Sequence, residues 1–423
     1  MHYFHYLRKS LYCESVQIQR IAQNIATPFY LYSYKTLISH YDKIREAFKS
    51  LDPLICFSMK SNSNLSIVRS LVGAGAGLDI VSGGELFKAK KAGADMSKIV
   101  YAGAGKTPLE IEDAIRSGIL LFNVESLPEL VLINKLCSRL RKKVKAAIRV
   151  NPGVRAGTHK YITTGAKGNK FGIDEDTLLD IFNQSRKFPN VEISGIHMHI
   201  GSQITQAGPF VRAVKKISSL IARLRSAGHK VDYLNIGGGL GIVYGNEKPQ
   251  TARDFANSIV PMVSKLNVKL ILEPGRFISG NSGVLVSKVL YVKKSFGKNF
   301  IIVDAGMNDL VRPSLYGAFH DILPLRKATA GARYEKSDVV GPVCESGDFI
   351  AKDRNLPSLK QGDFIAVMGA GAYGFSMSSN YNARPRAAEI MVIDGSYHTV
   401  RKRECYQDLI RGEIIPKRLY KRV

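Results

Sequence analysis

The chain has 423 residues, and its 61 Lys and Arg residues against 35 Asp and Glu residues give a formal net charge of +26. Hydrophobic residues make up 45% of the sequence, enough for a large core. No run approaches the roughly 20 apolar residues of a membrane-spanning helix, and the N-terminus lacks the apolar stretch of a signal peptide. Composition therefore argues against a membrane or secreted protein, and we expect a cytoplasmic one.

The positive charge by itself would fit a protein that attracts anionic ligands, nucleic acid or a membrane surface. It is spread along the chain, with local runs at 139–145 and 411–423. No zinc-finger spacing, aromatic RNA-binding signature or basic heptad accompanies it. The charge therefore indicates a solvated basic surface, and no nucleic-acid partner is expected. The cysteines are scattered without CxxC spacing, which predicts reduced thiols and not a disulfide framework.

Short apolar runs alternate with longer amphipathic stretches from about residue 54 to residue 272. Helical spacing of apolar positions is clear in the stretches 82–92 and 213–224. Eight such alternations favour a (β/α)₈ TIM barrel. The alternative is an open Rossmann-like sheet, but no GxGxxG follows the first strand. The predicted strands are 54–59, 77–81, 98–102, 119–124, 145–150, 193–200, 231–236 and 267–272.

The pattern changes after residue 280, where β-rich runs follow one another with few segments of helical length. These runs predict a second, all-β domain. The predicted runs are 283–292, 300–304, 363–368, 388–394 and 397–401.

Residues with chemical potential stand at the ends of several predicted barrel strands, where a barrel of this kind collects its catalytic groups. Lys60 ends the first strand and could form a Schiff base, anchor a phosphate or be solvated. His197 and His199 end the sixth and face the same way along an extended strand. They could bind a metal, or one ring could be packed and the other exposed; we expect no metal.

The last two strands end in residues suited to an anion. Gly237, Gly238 and Gly239 would let backbone N–H groups approach a phosphate, or would form a plain tight turn. Glu273 and Arg276 could serve as a carboxylate and an anion ligand, or as a structural ion pair. Together with the lysine amine, these groups suggest pyridoxal phosphate, with the aldehyde on Lys60, the phosphate on the glycines and the pyridine nitrogen on Glu273.

The second domain carries weaker signals of its own. Arg312 is suited to bidentate binding of a carboxylate. Cys344 and Glu345 place a thiol beside an acid, although a cysteine is usually a small packed hydrophobe. Tyr373 is flanked by glycines in the run 369–374.

Long motifs in order make the chain resemble the diaminopimelate decarboxylases, which are alanine-racemase-like (fold type III) enzymes dependent on pyridoxal phosphate. The resemblance covers nearly the whole chain. The motifs are Thr27-Pro-Phe-Tyr-Leu-Tyr-Ser, Asp79-Ile-Val-Ser-Gly-Gly-Glu85, His199-Ile-Gly-Ser-Gln, the three glycines at 237–239, Glu273-Pro-Gly-Arg276, 306–318, 341–348 and 371–374.

The resemblance implies a role for each matching residue and a reaction for the whole. Lys60 would carry the cofactor and Cys344, from the partner subunit of a homodimer, would be the proton donor. The reaction would convert meso-diaminopimelate to L-lysine and CO₂. Cofactor binding would fall to Lys60, His199, Ser202, Gly237, Gly238, Gly239, Glu273, Gly275, Arg276 and Tyr373. Substrate binding would fall to Arg276, Arg312, Tyr316, Glu345 and Tyr373.

The resemblance also implies the domain limits: a barrel over 27–278, and a β domain formed by 1–26 and 279–423. Other readings stay open at this point. A related decarboxylase could act on ornithine, arginine or carboxynorspermidine. An alanine-racemase-like enzyme is disfavoured because that class pairs the pyridine nitrogen with arginine, whereas this chain offers Glu273. A regulatory homologue is disfavoured because Lys60 and Cys344 are both retained.

Overall fold

The computed structural model describes residues 2–155, 165 and 169–422. Strands in the described residues are numbered in chain order. They are β1 (Phe4–Leu7), β2 (Ser10–Cys13), β3 (Val16–Gln17), β4 (Phe29–Ser33), β5 (Leu54–Ser58), β6 (Gly77–Ile80), β7 (Ile99–Tyr101), β8 (Leu121–Val124), β9 (Val144–Arg149), β10 (Val191–His197), β11 (Tyr233–Asn235), β12 (Lys269–Leu272), β13 (Gly283–Ser295), β14 (Lys298–Val303), β15 (Ile322–Pro324), β16 (Tyr334–Val340), β17 (Phe349–Pro357), β18 (Phe364–Val367), β19 (Ala388–Ile393) and β20 (Ser396–Arg401).

The α-helices are numbered in the same way. They are α1 (Ile18–Asn24), α2 (Tyr34–Ala47), α3 (Leu65–Gly73), α4 (Gly83–Lys91), α5 (Pro108–Ser117), α6 (Leu127–Leu140), α7 (Glu175–Asn183), α8 (Gly208–Ser226), α9 (Ala252–Val263), α10 (Arg276–Ser279), α11 (Arg312–Tyr316) and α12 (Tyr406–Leu409). No helix in the described part of the chain combines the length and the apolar character needed to cross a bilayer.

The described residues form two compact units. The barrel unit contains residues 33–283 and 369–376, and the sheet unit contains 4–32, 284–368 and the chain from 377 onward. The domain limits of 27–278 and 279–423 stay a prediction.

The barrel unit is a closed ring of eight parallel strands, β5 to β12, in which β12 pairs with β5. Helices α2 to α9 alternate with these strands along the chain, and α9 packs against α2. Strands of such a ring are covered on both faces, which is why they read as continuous apolar runs. The ring confirms the predicted (β/α)₈ barrel, and each of its strands overlaps one of the eight predicted runs.

Local sequence signals explain where the barrel helices begin. Helix α5 starts with Pro108 after Thr107, whose side chain and that of Glu110 form a capping box. Helices α4 and α6 begin after Ser82 and Ser126, which accept the N–H groups of Glu85 and Glu129. Both glutamates also accept a backbone N–H from the end of the preceding strand. Each strand end is therefore fixed to the helix that follows it.

The sheet unit is mostly β-structure, as predicted for the second domain. Strands β1, β2 and β3 form a small antiparallel sheet. A larger sheet runs in the order β17-β16-β14-β13-β4-β19-β20, with β18 pairing to both β13 and β15. Its core includes Phe29 and Leu31 of β4 packed with Val284 and Val286 of β13.

Candidate active site

Most of the residues predicted to hold the cofactor follow four strands that are neighbours in the ring: β10, β11, β12 and β5. Lys60 lies in a single turn directly after β5. His199 lies two residues beyond β10, and the glycines at 237–239 lie two residues beyond β11. Glu273 follows β12 directly, and Arg276 begins α10. The carboxyl ends of adjacent parallel strands meet at one rim of a barrel, so the ring gathers these groups at its mouth.

Lys60 lies beside a buried carboxylate that the sequence analysis had not assigned to the site. Its Nζ is 3.7 Å from Oδ2 of Asp79, a fully buried residue of β6. The Ser58 hydroxyl donates a 2.7 Å hydrogen bond to the same oxygen. Burial, and then the nearby charge of Glu273, raise the pKa of Asp79 to about 7.

The same pair sets the state of the lysine amine. The Lys60 side chain is 38% exposed. Burial, the largest single influence, opposes the charged amine, but the charges of Asp79, Tyr373 and Glu273 together outweigh it and raise the pKa of Lys60. Lys60 is therefore held as a cation beside Asp79.

Glu273 is buried in a set of amide donors. The side-chain amides of Asn123 and Asn235 donate to its Oε1 at 3.0 and 2.6 Å. Its Oε2 lies 3.4 Å from Nε2 of His197. Burial by itself would raise the pKa of Glu273, but His197, Lys60 and the Asn235 amide together hold it below the ordinary value. Glu273 is therefore an ionised carboxylate inside the barrel mouth.

The two histidines have different surroundings. His197 is 1% exposed and faces Glu273, and burial lowers its pKa. His199 accepts the N–H of Gly238 at Nδ1, 3.2 Å away. Burial, and then the charge of Lys60, hold the pKa of His199 well below its usual value, so its ring is neutral. Among the described residues, no group of three His, Cys, Asp or Glu side chains could hold a metal ion.

The glycines after β11 allow their backbone to lie close to His199 and to the Glu273 carbonyl. Gly237 has a φ of +68°, and a Cβ there would lie 2.6 Å from Nδ1 of His199. A Cβ on Gly238 would lie 2.1 Å from the carbonyl oxygen of Glu273. Only glycine lets the backbone occupy this narrow space between His199 and Glu273.

Arg276 is the centre of a polar cluster. Its Nε and Nη2 donate to the Ser202 hydroxyl at 3.2 and 3.1 Å, and its Nη1 donates to the Tyr244 hydroxyl at 2.5 Å. The guanidinium also lies over the Tyr373 ring, 4.8 Å from its centroid. The structure thus brings together Ser202, Arg276 and Tyr373, three of the residues predicted to bind phosphate.

Gly275, also predicted to bind phosphate, lies close to the turn that carries the lysine. A Cβ on Gly275 would lie 3.1 Å from the Cβ atoms of Ser58 and Ser61. The N–H of Tyr373 donates to the carbonyl of Ser61 at 2.8 Å. The turn that carries Lys60 is therefore packed between the segments of Gly275 and Tyr373.

The remaining predicted residues lie in the sheet unit. Arg312 and Tyr316 are the first and last residues of α11, and Arg312 is buried. Cys344 and Glu345 are exposed in the loop between β16 and β17. The hydroxyl of Ser314, in α11, donates to the carbonyl of Gly347 in that loop at 2.5 Å. Within the sheet unit, the predicted substrate residues and the predicted proton donor thus lie on two connected segments.

Several site residues were not predicted from the sequence. Each is a polar side chain that hydrogen-bonds or lies next to a predicted residue. Asp79 and Asn123 lie inside β6 and β8, Asn235 ends β11, and Tyr244 lies in the loop that follows β11. For Asp79 and Asn123, a polar residue within an apolar strand is a signal that could have identified them. The four unpredicted site residues are Asp79, Asn123, Asn235 and Tyr244.

The described residues of the barrel unit fit pyridoxal phosphate. A lysine amine can bind the aldehyde, and an ionised, buried Glu273 can face a protonated pyridine nitrogen. The Arg276 guanidinium with Ser202 offers donors for a phosphate. The second oxygen of Asp79, Oδ1, is buried and has no hydrogen-bond partner among the described residues, so the site retains an acceptor for a further polar group.

Comparisons with known proteins agree with this chemistry. The family described as "Pyridoxal-dependent decarboxylase, pyridoxal binding domain" matches residues 34–280, which confirms the predicted cofactor, pyridoxal phosphate. A diaminopimelate decarboxylase of Aquifex aeolicus is 47% identical over 97% of this chain and 97% of its own length.

Two solved structures are similar over almost the whole chain. Diaminopimelate decarboxylase of Helicobacter pylori, complexed with L-lysine, is 42% identical with a TM-score of 0.90, over 93% of this chain and 98% of that one. The M. jannaschii enzyme of the same name, also with L-lysine, is 35% identical with a TM-score of 0.94, over 98% of each chain. These likenesses, over nearly the full length of each chain, show that the chain belongs to the diaminopimelate decarboxylases.

Proposed function

We propose that this protein decarboxylates meso-2,6-diaminopimelate to L-lysine and CO₂ with pyridoxal phosphate as cofactor, the last step of lysine biosynthesis. The observation that carries the proposal is the barrel mouth, where Lys60, the ionised Glu273 and the Arg276 cluster together fit the cofactor. Membership of the diaminopimelate decarboxylases supports the substrate, as does the L-lysine bound to two relatives. The reaction belongs in the cytoplasm.

The residues of the barrel unit hold the cofactor. Lys60 would hold its aldehyde through Nζ, and His199, a neutral imidazole, would contact its ring. Glu273 would favour a protonated pyridine nitrogen, because a buried ionised carboxylate favours the charged partner. The phosphate would be held by Ser202, Gly237, Gly238, Gly239, Gly275, Arg276 and Tyr373.

When bound, pyridoxal phosphate supplies an electron sink that lets the substrate carboxylate leave as CO₂. The protein's part is to orient the substrate and to return a proton to the carbon that has lost CO₂. Cys344 supplies that proton from Sγ. Its exposed position in the loop between β16 and β17 leaves the thiol accessible to a bound molecule, and its backbone N–H donates to the Asn382 side chain at 2.8 Å.

Recognition of the far end of the substrate falls to charged groups of the second domain. Diaminopimelate carries an ammonium and a carboxylate at that end. Arg312 and Tyr316 bind the carboxylate, and Glu345 binds the ammonium, while Arg276 and Tyr373 contact the substrate from the barrel. Loss of one member of a buried charge pair typically costs on the order of 2–5 kcal/mol, so these contacts can decide specificity.

The active site is shared in a homodimer, in which Cys344 of the partner subunit completes the barrel of the first. Mixing a Lys60→Ala chain with a Cys344→Ala chain tests this arrangement. Each variant by itself should be inactive or slow. Random re-pairing should restore about a quarter of wild-type activity, because half the dimers are mixed and each has one intact site. Mixtures no more active than the separate variants would rule out shared sites.

The test of the reaction is CO₂ release, with the amino-acid product identified, from the protein and pyridoxal phosphate. meso-Diaminopimelate, ornithine and arginine are offered separately. We expect L-lysine from diaminopimelate alone. Turnover of ornithine or arginine would replace the substrate and keep the cofactor chemistry, and no turnover of any substrate would refute the proposed activity.

A further inference from the structure

Arg312, the arginine proposed to bind the far carboxylate, contacts a buried histidine. Its Nη1 lies 3.0 Å from Nε2 of His320. The Nδ1 of the same ring lies 2.8 Å from the carbonyl oxygen of Met368. His320 is fully buried and Arg312 is 5% exposed. A single imidazole thus connects the arginine to a backbone carbonyl.

The two contacts fix the tautomer of the ring. A carbonyl oxygen can only accept, so Nδ1 carries the hydrogen and donates it to Met368. A guanidinium can only donate, so Nε2 offers its lone pair to Arg312. A ring that donates at one nitrogen and accepts at the other is neutral. His320 therefore orients Arg312 without adding a negative charge beside it.

Two other arginines of the sheet unit contact carboxylates. Arg401 Nε contacts the buried Glu389 carboxylate, and Arg386 is held by Glu404. A carboxylate partner stabilises a guanidinium but also competes with an incoming anion for it. A neutral acceptor fixes the direction of the guanidinium and does not compete for charge.

The carbonyl that anchors His320 is held by the sheet. The N–H of Met368 donates to the carbonyl of Asp321 at 2.8 Å. Directly beside these residues, Ile322 of β15 is paired with Val367 of β18. The pairing of β15 with β18 therefore holds the Met368 carbonyl in place. That carbonyl fixes the imidazole that contacts the guanidinium of Arg312.

We infer that His320 is a positioning residue that aims Arg312 at the far carboxylate of the substrate and so contributes to selection of a dicarboxylic amino acid. This inference rests on the proposed function. It assigns no chemistry to His320 itself, so its removal should weaken binding of the carboxylate and leave the chemical step largely intact.

The test compares His320→Phe, His320→Gln and a control, His398→Phe, at an exposed histidine of the same unit. Phenylalanine keeps the ring volume and loses both polar atoms, whereas the glutamine amide oxygen can take the place of Nε2. We expect His320→Phe to raise KM for meso-diaminopimelate about tenfold with little change in kcat, the size of one lost oriented hydrogen bond to a charged group. His320→Gln should recover most of the loss, and His398→Phe should match wild type.

Inhibitors separate positioning from general damage. L-Lysine keeps the far carboxylate, and 1,5-diaminopentane lacks both carboxylates. His320→Phe should weaken inhibition by L-lysine about tenfold and leave inhibition by the diamine unchanged. If the phenylalanine variant does not fold by circular dichroism, His320→Asn, which keeps only the donor to Met368, takes its place.

Any one of three results would overturn the inference. The first is an unchanged KM in His320→Phe, and the second is an equal loss of inhibition by L-lysine and by the diamine. The third is a His320→Gln variant as impaired as His320→Phe. Failure of the proposed function would show differently, because wild type itself would then form no L-lysine from diaminopimelate. That result would overturn the inference as well.

Discussion

Lys60 Nζ and Asp79 Oδ2 lie 3.7 Å apart; the lysine lies two residues beyond the end of β5, and the aspartate lies within β6, the next strand of the ring. An amine must lose its proton before it can attack an aldehyde, so the carboxylate that stabilises the ammonium also delays capture of the cofactor. The pair therefore sets the pH at which Lys60 becomes reactive.

Asp79→Asn should shift the pH profile of cofactor capture to lower pH. Removing the negative charge lowers the pKa of Lys60, so more of the amine is neutral at a given pH. The measurement is the rate at which absorbance of the lysine-bound cofactor appears after pyridoxal phosphate is added to cofactor-free protein. Asp176→Asn, which removes an exposed carboxylate of α7, is the control. An identical midpoint in Asp79→Asn and wild type would contradict the prediction.

Asp79 should also make folding stability depend on pH. Its pKa in the folded protein is raised to about 7, whereas an unfolded aspartate titrates near about 3.9. Between these values the folded state binds the extra proton, so this residue favours folding more as the pH falls from 8 to 5. The effect is at most about 4 kcal/mol at 1.36 kcal/mol per pH unit. The measurement is urea unfolding of cofactor-free protein at pH 8 and at pH 5.5. The free energy of unfolding should differ less between these two pH values in Asp79→Asn than in wild type. An equal difference in the two proteins would contradict the prediction.

Glu273→Gln should reduce kcat by about two orders of magnitude, the usual effect of losing one preorganised electrostatic contact. The amide keeps the shape of the side chain and an oxygen for the Asn123 and Asn235 donors, so the cofactor should still bind. Turnover and cofactor absorbance are measured on the same preparation, with the exposed Glu192→Gln as control. Full turnover in Glu273→Gln would remove the assigned role.

Arg276→Lys should weaken pyridoxal phosphate binding by about tenfold or more. A lysine keeps the charge but cannot replace the planar guanidinium, which contacts the Ser202 and Tyr244 hydroxyls at once. The dissociation constant is measured by titrating cofactor-free protein with pyridoxal phosphate. Arg253→Lys, at an exposed position of α9, should bind as wild type does. Equal affinities for both variants would show that Arg276 does not hold the phosphate.

Gly238→Ala should destabilise the barrel by several kcal/mol or prevent its folding. The added Cβ would lie 2.1 Å from the Glu273 carbonyl oxygen, a backbone atom with little freedom to move. Gly73→Ala is the matched control, because a Cβ there meets nothing within 4 Å. That change, in helix α3, should leave stability unchanged or raise it by about 0.5–1 kcal/mol. Similar unfolding curves for the two variants would disprove the crowding at Gly238.

The barrel was predictable because parallel, doubly covered strands produce short apolar runs at regular intervals. The strand-end rule then located Lys60 and Glu273 without knowledge of any contact. Strand β4 was not predicted. Its partners, β13 and β19, lie at least 250 residues away along the chain, so no local pattern marks it as a strand of the second sheet.

The unpredicted site residues have a common physical reason. Asp79 and Asn123 are single polar residues in buried strands, and only the closed ring shows that their side chains reach Ser58 and Glu273. Tyr244 lies in a loop, and its hydroxyl accepts a hydrogen bond from Arg276 of a different segment. Sequence periodicity reports which face a residue occupies, but not which side chains of other strands it meets there.

The larger sheet of the second unit ends at β17 and β20, and both outer strand pairs are irregular. Register shifts interrupt β16–β17 near Val339 and β19–β20 near Glu389. Strand β17 also carries the charged run Lys352-Asp353-Arg354. Bulged and charged edges are poor templates for a further strand. The protein is thereby protected against edge-to-edge aggregation at high concentration.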